Sequence, residues 1–198
     1  MKLQNTIIYL LGFPGVGKYT IAKCITEQTG ARLIDNHSLT NPIYNVIDLD
    51  HSKGLPPTFG HRVHQIFAAV FEAINTLSPP EWSFVFTNAR TDHEENDVEY
   101  CMRRDLARWR DATFVPVQLV CTLEENMRRI QGEDRKTRFK PTQSELARHI
   151  HQTQTVYQVH HPNVLTLDVT GLSPEAAAET IVRHAQTVQL KTDLKTPQ

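Results

Sequence analysis

The residues best suited to chemistry form one short segment, 12–20, which reads Gly-Phe-Pro-Gly-Val-Gly-Lys-Tyr-Thr and follows the apolar run Thr6–Leu11. The spacing G-x-x-x-x-G-K between an expected strand and an expected helix is typical of a loop that wraps phosphate groups. Glycine tolerates the dihedral angles that turn backbone N–H groups toward one anion, and the helix adds the positive end of its dipole. Lys18 supplies a point charge for the terminal phosphates. The residues expected to hold a nucleoside triphosphate are Gly12, Pro14, Gly15, Val16, Gly17, Lys18, Tyr19 and Thr20.

Tyr19 stands where most such loops carry a hydroxyl ligand for magnesium, and Thr20 comes one position later. The arrangement G-x-P-G-x-G-K-x-T resembles the loop of the nucleoside monophosphate kinases, adenylate kinase above all, in which a non-hydroxyl residue also follows the lysine. The resemblance implies ATP and Mg²⁺ as cofactors. It also implies that the phosphates and water supply most of the magnesium coordination, with Thr20 acting through water, since this ion retains several waters.

Strand-like and helix-like patterns alternate along the chain. Short continuous apolar runs, typical of parallel strands covered on both faces, lie at Thr6–Leu11, Ala31–Asp35, Ser83–Asn88, Phe114–Cys121 and Val164–Val169. Helical stripes with apolar residues three and four positions apart lie between and after these runs. The alternation predicts one α/β domain over residues 1–190, a doubly wound five-stranded parallel sheet of the P-loop NTPase type with helices on both faces. Residues 191–198 are expected to form a flexible tail.

Residues 37–60 form the longest connection without a clear period, and Pro42, Gly54 and the Pro56-Pro57 pair interrupt it. A connection of this length inside a domain is usually a lid or a binding loop. It leaves the carboxyl end of the second strand, where ligands bind in such sheets. Apolar residues at 43, 46, 47 and 49 predict a short helix within it. Further along, apolar residues at 146, 150 and 156 or 157 predict a helix that reaches this last position.

Asp35 ends the second strand, and Asn36 and His37 follow it. A carboxylate there can accept the proton of an acceptor hydroxyl or hold a magnesium-bound water, whereas a turn or helix-cap role is the alternative. The position resembles the catalytic acid of shikimate kinase and of the chloramphenicol phosphotransferase group. On that resemblance, Asp35 is the expected catalytic residue and holds the metal through water, and Asn36 and His37 are expected to bind the acceptor.

Two arginines are candidates for binding an anionic acceptor, with plain solvent exposure as the alternative for each. Arg90 follows the third strand, and Arg90-Thr91 lines up with the end of the Asp-Gly-Phe-Pro-Arg-Thr motif of nucleoside monophosphate kinases. The Asp of that motif falls at Phe86, so the sequence favours a divergent relative over adenylate kinase itself. Arg62 begins the long apolar helical stripe that continues to Leu77.

A basic cluster occupies residues 127–141, in which six lysines and arginines face two acids in an otherwise nearly neutral chain. It comes after the fourth strand and its helix, where the resembling kinases carry an arginine-bearing lid. The resemblance implies a lid at 131–141, with Arg135 and Arg138 as catalytic residues that neutralise charge on the transferring phosphoryl group. A solvated basic face is the alternative.

The turn after the fifth strand reads Asp168-Val169-Thr170-Gly171. In the resembling kinases this loop touches the adenine base through backbone groups, which implies that Thr170 and Gly171 contact the nucleotide. A glycine turn without a ligand, between any strand and helix, looks the same in sequence.

Composition excludes several classes of protein. The 198 residues carry a formal net charge of −1, which argues against broad nucleic-acid contact but leaves a local basic cleft open. Three scattered cysteines do not make a disulfide framework or a Cys-type zinc site, and no pair among the ten histidines has further ligands at metal-site spacing. No signal peptide or bilayer-length apolar run is visible, so we expect a cytoplasmic protein without a membrane partner.

Together these features predict an ATP-dependent kinase that phosphorylates a small molecule whose identity, like the oligomeric state, the sequence leaves open. The missing Asp-Gly-Phe-Pro motif favours a hydroxyl-bearing metabolite or drug over a nucleotide as the acceptor. Two alternatives remain. A kinase acting on RNA or a nucleotide derivative predicts salt-dependent binding of RNA oligomers. A nucleotide-binding regulatory or toxin-like module predicts tight ATP binding without ATP consumption.

Overall fold

The computed structural model describes residues 2–47, 55–89, 98–131 and 144–193. Five strands and seven helices alternate along this part of the chain. The strands are β1 (Thr6–Leu11), β2 (Arg32–Asp35), β3 (Phe84–Asn88), β4 (Thr113–Val120) and β5 (Leu165–Asp168). The helices are α1 (Lys18–Thr29), α2 (Asn36–Tyr44), α3 (Phe59–Leu77), α4 (Val98–Trp109), α5 (Leu123–Ile130), α6 (Ser144–Thr153) and α7 (Pro174–Asp193).

The five strands form one parallel sheet in the order β2-β3-β1-β4-β5. Every residue of the central strand β1 is buried, as a continuous apolar run covered on both faces should be. On one side of β1 the chain places β2 at the edge and β3 between them, and on the other side it adds β4 and then β5. The expected doubly wound α/β fold is therefore confirmed, and each expected strand is present to within one or two residues at its ends.

Side chains of the strands alternate between two cores. Ile8 and Leu10 of β1 pack with α1 and α7 on one face of the sheet. Ile7, Tyr9 and Leu11 pack with α3 and α4 on the other face. Both cores are apolar, and the period of two along each strand separates them. The helix that follows the glycine-rich loop, α1, thus covers one face only, and we call this the α1 face.

Two helices differ from the sequence prediction. The helix expected around residues 43–49 starts directly after β2 instead, and α2 contains Pro42. The helix survives this proline because Leu39 and Ile43 pack against the core on the face opposite α1. The helix expected to reach residue 156 ends at Thr153, and Val156 returns to pack with Ile150 and Phe13. An apolar spacing that spans a helix and its following turn misled the prediction.

The end of α7 extends to Asp193, three residues into the predicted tail. The three cysteines Cys24, Cys101 and Cys121 are all free thiols. Among the described residues, no helix has both the length and the apolar character needed to span a lipid bilayer. The lid expected at 131–141 lies outside the described residues except for Gln131.

Candidate functional site

The loop between β1 and α1 has the backbone that a phosphate cradle requires. Gly15 and Gly17 have φ angles of 93° and 104°, in the left-handed region that L side chains rarely adopt. Gly17 is also the N-cap of α1, so the helix begins at the loop and presents its N-terminus there. The Lys18 ammonium donates hydrogen bonds to the carbonyl oxygens of Gly12 and Phe13 at 2.7 and 2.8 Å. The lysine charge is therefore held against the first residues of the loop.

Helix α5 packs directly against this loop. The Asn126 side chain, which is 1% exposed, donates from Nδ2 to the carbonyl oxygen of Pro14 at 3.0 Å. A Cβ placed on Gly15 would lie 2.5 Å from Cγ1 of Ile130 and 2.7 Å from Nδ2 of Asn126. Glycine is therefore favoured at position 15 for two reasons, the positive φ angle and the close approach of α5.

A substitution at Gly15 tests this close packing. We expect Gly15→Ala to lower the free energy of unfolding by about 3 kcal/mol, because it combines left-handed strain with an overpacked contact. Gly171→Ala is the matched control, since a Cβ there meets nothing within 4 Å. Chemical denaturation of both variants measures the difference. Equal stability of the two variants would show that α5 yields to the added methyl group.

A second residue of α5, Arg129, also holds the loop. Its Nη1 donates to the carbonyl oxygen of Val16 at 2.8 Å, and its Nη2 donates to that of Val169 at 2.7 Å. Its Nε contacts Glu125 at 2.5 Å. Hydrogen bonds from Arg128, then from Arg129, lower the pKa of Glu125 to about 2, so the carboxylate stays charged. Arg129 thus ties the loop after β1 to the loop after β5.

From the sequence, Arg129 was predicted only as one of the charges of the basic cluster, and Asn126 was not predicted as a site residue. Only the structure separates Arg129 from its neighbour Arg128. The Arg128 side chain is 72% exposed, whereas that of Arg129 is 19% exposed. The available signal was position along the helix. Asn126, Arg129 and Ile130 recur at three- and four-residue spacing, and so share the face that meets the loop.

Asp35 lies on the same sheet face as α1. Leu33 and Val85 pack with α1, so alternation along the strands directs Asp35 and Thr87 to that face as well. The Thr87 hydroxyl donates to Oδ1 of Asp35 at 2.5 Å, and both residues are buried. Asp35 occupies the N-cap position of α2, yet its side chain makes no capping hydrogen bond. Thr87 therefore holds the Asp35 carboxylate on the α1 face.

Thr87 is a site residue that the sequence did not indicate. Its oxygen also accepts a hydrogen bond from the backbone N–H of Asn36 at 3.4 Å. A hydroxyl has one proton, so the second contact leaves that proton directed at Asp35. Thr87 is placed opposite Asp35 by the parallel register of β2 and β3, a pairing that no local pattern in the sequence encodes.

A second polar group stands on the opposite face of the sheet, at the end of β3. Asn88 donates from Nδ2 to the Tyr9 hydroxyl at 3.3 Å and to the Glu99 carboxylate. Glu99 lies 3.4 Å from Arg103, a side chain only 1% exposed. Four aromatic rings surround the Arg103 guanidinium at 4.7 to 5.8 Å, which compensates part of its desolvation. This network links the ends of β1 and β3 to α4.

The other predicted residues lie as follows. Thr20 is exposed on the first turn of α1, and Tyr19 is half-buried. His37 is half-buried in the first turn of α2.

Thr170 donates to Asp168 and accepts from the backbone N–H of Thr122, beside the loop that Arg129 holds. The structure does not bring Arg62 to this group, since it is exposed and contacts Gln65.

Three predicted residues, Arg90, Arg135 and Arg138, lie outside the described part of the chain, and their roles stay predictions. Within the described ranges, no group of three or more His, Cys, Asp or Glu side chains could hold a metal ion. The roles of Asp35 and Thr20 as magnesium ligands through water therefore stay predictions.

Burial of two histidines gives a pH-dependent stability. Burial lowers the pKa of His151, against a smaller opposing effect of Glu124, and it lowers the pKa of His161, where Arg104 and Arg108 add to the effect. In the unfolded chain both return to about 6.5. The unfolded state therefore binds more protons below that value, and stability falls as pH drops.

We expect the free energy of unfolding to change little above pH 7.5 and to decline between pH 7 and 5. His151→Gln combined with His161→Gln should flatten this part of the profile. Carboxyl groups with lowered pKa, such as Glu125, act only at more acidic pH and do not obscure the window. Urea denaturation at a series of pH values measures the slope. A slope that the double variant retains would assign the effect to other groups.

No protein-family model matches this chain, and no curated protein matches it by sequence. Solved structures do match its fold. A gluconokinase from Sinorhizobium meliloti 1021 matches with a TM-score of 0.62 at 18% identity, over 98% of this chain and 100% of that one. The Mycobacterium tuberculosis APS kinase, solved with AMPPNP and APS, matches with a TM-score of 0.58 at 12% identity, over 93% and 99%.

The tunicamycin resistance protein of Deinococcus radiodurans matches with a TM-score of 0.55 at 14% identity, over 90% of this chain and 94% of that one. The likenesses extend over nearly the whole length of each chain. They show that this chain shares the fold of these proteins, which is the fold that the resemblance of residues 12–20 implied. At these identities the likeness concerns the fold, and the chemistry has to be argued from the site.

Proposed function

We propose that this protein is an ATP-dependent phosphotransferase that moves the γ-phosphoryl group of ATP to a hydroxyl group of a small molecule. One observation carries the proposal. A glycine loop with the backbone of a phosphate cradle lies on the same face of the sheet as a buried carboxylate, Asp35, which a dedicated hydrogen bond from Thr87 orients. A nucleotide-binding module without turnover has no need of an oriented carboxylate on the face where its phosphates bind.

In this proposal, the backbone N–H groups of the loop and the Lys18 ammonium hold the phosphates of ATP. Asp35 binds the acceptor hydroxyl and takes its proton as the oxygen attacks the γ-phosphorus. The bond from that phosphorus to the β–γ bridging oxygen breaks, and ADP leaves with the electron pair. Mg²⁺, when bound, neutralises charge on the phosphates, with Thr20 and Asp35 holding it through water.

The remaining roles rest on the resemblance to the kinases. Arg135 and Arg138 would close over the transferring group, and Arg90 would bind an anionic part of the acceptor. The acceptor side would also include Asn36 and His37. Thr170 and Gly171 would contact the adenine through their backbone. A cytoplasmic enzyme fits the three free thiols, since such thiols persist in reducing compartments.

A thermal-shift panel with the non-hydrolysable analogue AMPPNP tests the proposal. The structural neighbours include a gluconokinase, an APS kinase and a tunicamycin resistance protein, so the panel contains sugar acids, sugars, sulfonucleotides and hydroxyl-bearing antibiotics. We expect AMPPNP to raise the melting temperature and one acceptor class to raise it further by mass action. Stabilisation by RNA oligomers that salt abolishes would instead favour a polyanionic acceptor. No shift with AMPPNP would contradict the nucleotide site itself.

A further inference from the structure

Two side chains of α5 hold the nucleotide loop by hydrogen bonds to its carbonyl oxygens. Asn126 binds the carbonyl of Pro14, and Arg129 binds the carbonyl of Val16. Both side chains come from α5, and they meet alternate peptide groups of the loop. Neither contact is required to form α5 or the sheet, because both helix and strands have their own backbone hydrogen bonds.

These contacts fix the direction of two N–H groups. In a planar trans peptide, the carbonyl of one residue and the N–H of the next point in opposite directions. A Pro14 carbonyl aimed at α5 therefore turns the Gly15 N–H away from α5. In the same way, a Val16 carbonyl aimed at Arg129 turns the Gly17 N–H away from it.

Within the described part of the chain, α5 covers one side of the loop, so an anion would approach from the opposite side. On the α5 side, Asn126 and Ile130 approach Gly15 so closely that a single added carbon would meet them at 2.7 Å or less. The N–H groups of Gly15 and Gly17 thus face the open side. Without the two contacts, glycine peptides with positive φ could rotate, because glycine restricts φ and ψ so little.

We propose that Asn126 is a positioning residue of the nucleotide site, which aims the Gly15 N–H at the phosphates by holding the Pro14 carbonyl. Arg129 does the same for Gly17. This inference rests on the proposed nucleotide site and adds residues 112 or 113 positions downstream of the loop peptides that they orient.

His151 of α6 sets the direction of Asn126. The His151 Nε2 lies 3.1 Å from Asn126 Oδ1, and its ring packs against Phe13 at an interplanar angle of 59° with centroids 4.8 Å apart. Because Asn126 Nδ2 is the donor to Pro14, its Oδ1 must be the acceptor, and His151 Nε2 carries the hydrogen. An inverted amide would place two acceptors, Asn126 Oδ1 and the Pro14 carbonyl oxygen, against each other.

Three variants of Asn126 separate the role of the donor from that of packing. Asn126→Leu keeps the shape of the side chain and loses both polar atoms. Asn126→Asp keeps the acceptor toward His151 and loses the donor toward Pro14. Asn126→Ala removes shape and donor together. Arg129→Ala and Arg128→Ala form a matched pair, since both remove one positive charge beside Glu125 but only Arg129 touches the loop.

Calorimetry with Mg·ADP and with adenosine as probes gives the first result. We expect Asn126→Leu and Asn126→Asp each to weaken ADP binding about tenfold, as the loss of one charge-assisted hydrogen bond to a phosphate would, and to leave adenosine binding within about twofold. Arg129→Ala should weaken ADP binding by more than Arg128→Ala does. Unfolding measurements on each variant confirm that the compared proteins are folded at the assay temperature.

Amide NMR gives the second result at a named atom. In the wild type, Mg·ADP should shift the Gly15 and Gly17 N–H protons downfield, and Asn126→Leu should remove the Gly15 shift. A full Gly15 shift and unchanged ADP affinity in folded Asn126→Leu would overturn the inference while leaving the nucleotide site in place. Absence of ADP binding by the wild type would overturn the proposed function, and the inference with it.

Discussion

Replacement of Lys18 by alanine should abolish nearly all phosphoryl transfer, by about a thousandfold or more, on the scale of residues that stabilise charge in a transition state. The Lys18 ammonium contacts the carbonyl oxygens of Gly12 and Phe13 and lies over the loop. It is half-buried and belongs to neither core, so its loss should leave the fold intact. ATP affinity should fall together with turnover, since the ammonium binds phosphates before and during transfer.

Lys23→Ala is the matched control, because Lys23 carries the same charge on the same helix but is exposed on its outer side. Calorimetry with AMPPNP and melting curves of both variants separate binding from folding. We expect Lys23→Ala to bind the analogue normally and Lys18→Ala to bind it at least tenfold more weakly. Equal affinity of the two variants for AMPPNP would show that Lys18 does not bind the phosphates.

Replacement of Asp35 by asparagine should lower turnover by about a hundredfold to ten-thousandfold, the usual contribution of a positioned general base. ATP affinity should change much less, because in the proposed mechanism the carboxylate acts on the acceptor hydroxyl. An interaction made mainly in the transition state lowers kcat and kcat/KM together. Asparagine retains an oxygen that can accept from Thr87, so the local packing should persist.

Thr87→Val and Asp105→Asn complete this experiment. Thr87→Val keeps the shape of Thr87 but releases Asp35, so it should reduce turnover in part and have little further effect in combination with Asp35→Asn. Asp105 lies on α4 beside Arg104 and Arg108, and its amide variant should retain full turnover. Normal turnover of Asp35→Asn with an acceptor identified by the thermal-shift panel would show that the role of Asp35 is structural.

The strands, most helices and the nucleotide loop were predictable because their signals are local. A buried parallel strand is a continuous apolar run, and residues 12–20 carry their own glycine and lysine spacing. Asp35 could be placed at a strand end for the same reason. The start of α2 could not, because Pro42 indicates a break in isolation, whereas packing of Leu39 and Ile43 holds the helix in the folded protein.

The residues that support the site escaped prediction because they meet it from far along the chain. Thr87 is 52 positions from Asp35, and Asn126 is 112 positions from Pro14. An asparagine in a charged helix has no period or motif of its own, and its role becomes visible only when α5 is packed on the loop. Side chains that touch substrate can be inferred from motifs, whereas those that orient backbone groups depend on tertiary packing.

Transfer of label from ATP tests the central claim most directly. The protein is incubated with Mg²⁺, ATP labelled in the γ-phosphoryl group and a pool of hydroxyl-bearing small molecules, and the products are separated by size and charge. The proposed function predicts label in one small-molecule ester with the wild type, and label that appears at least about a hundredfold more slowly with Lys18→Ala or Asp35→Asn. Label that remains in ATP, or that reaches the product equally with all three proteins, would contradict it.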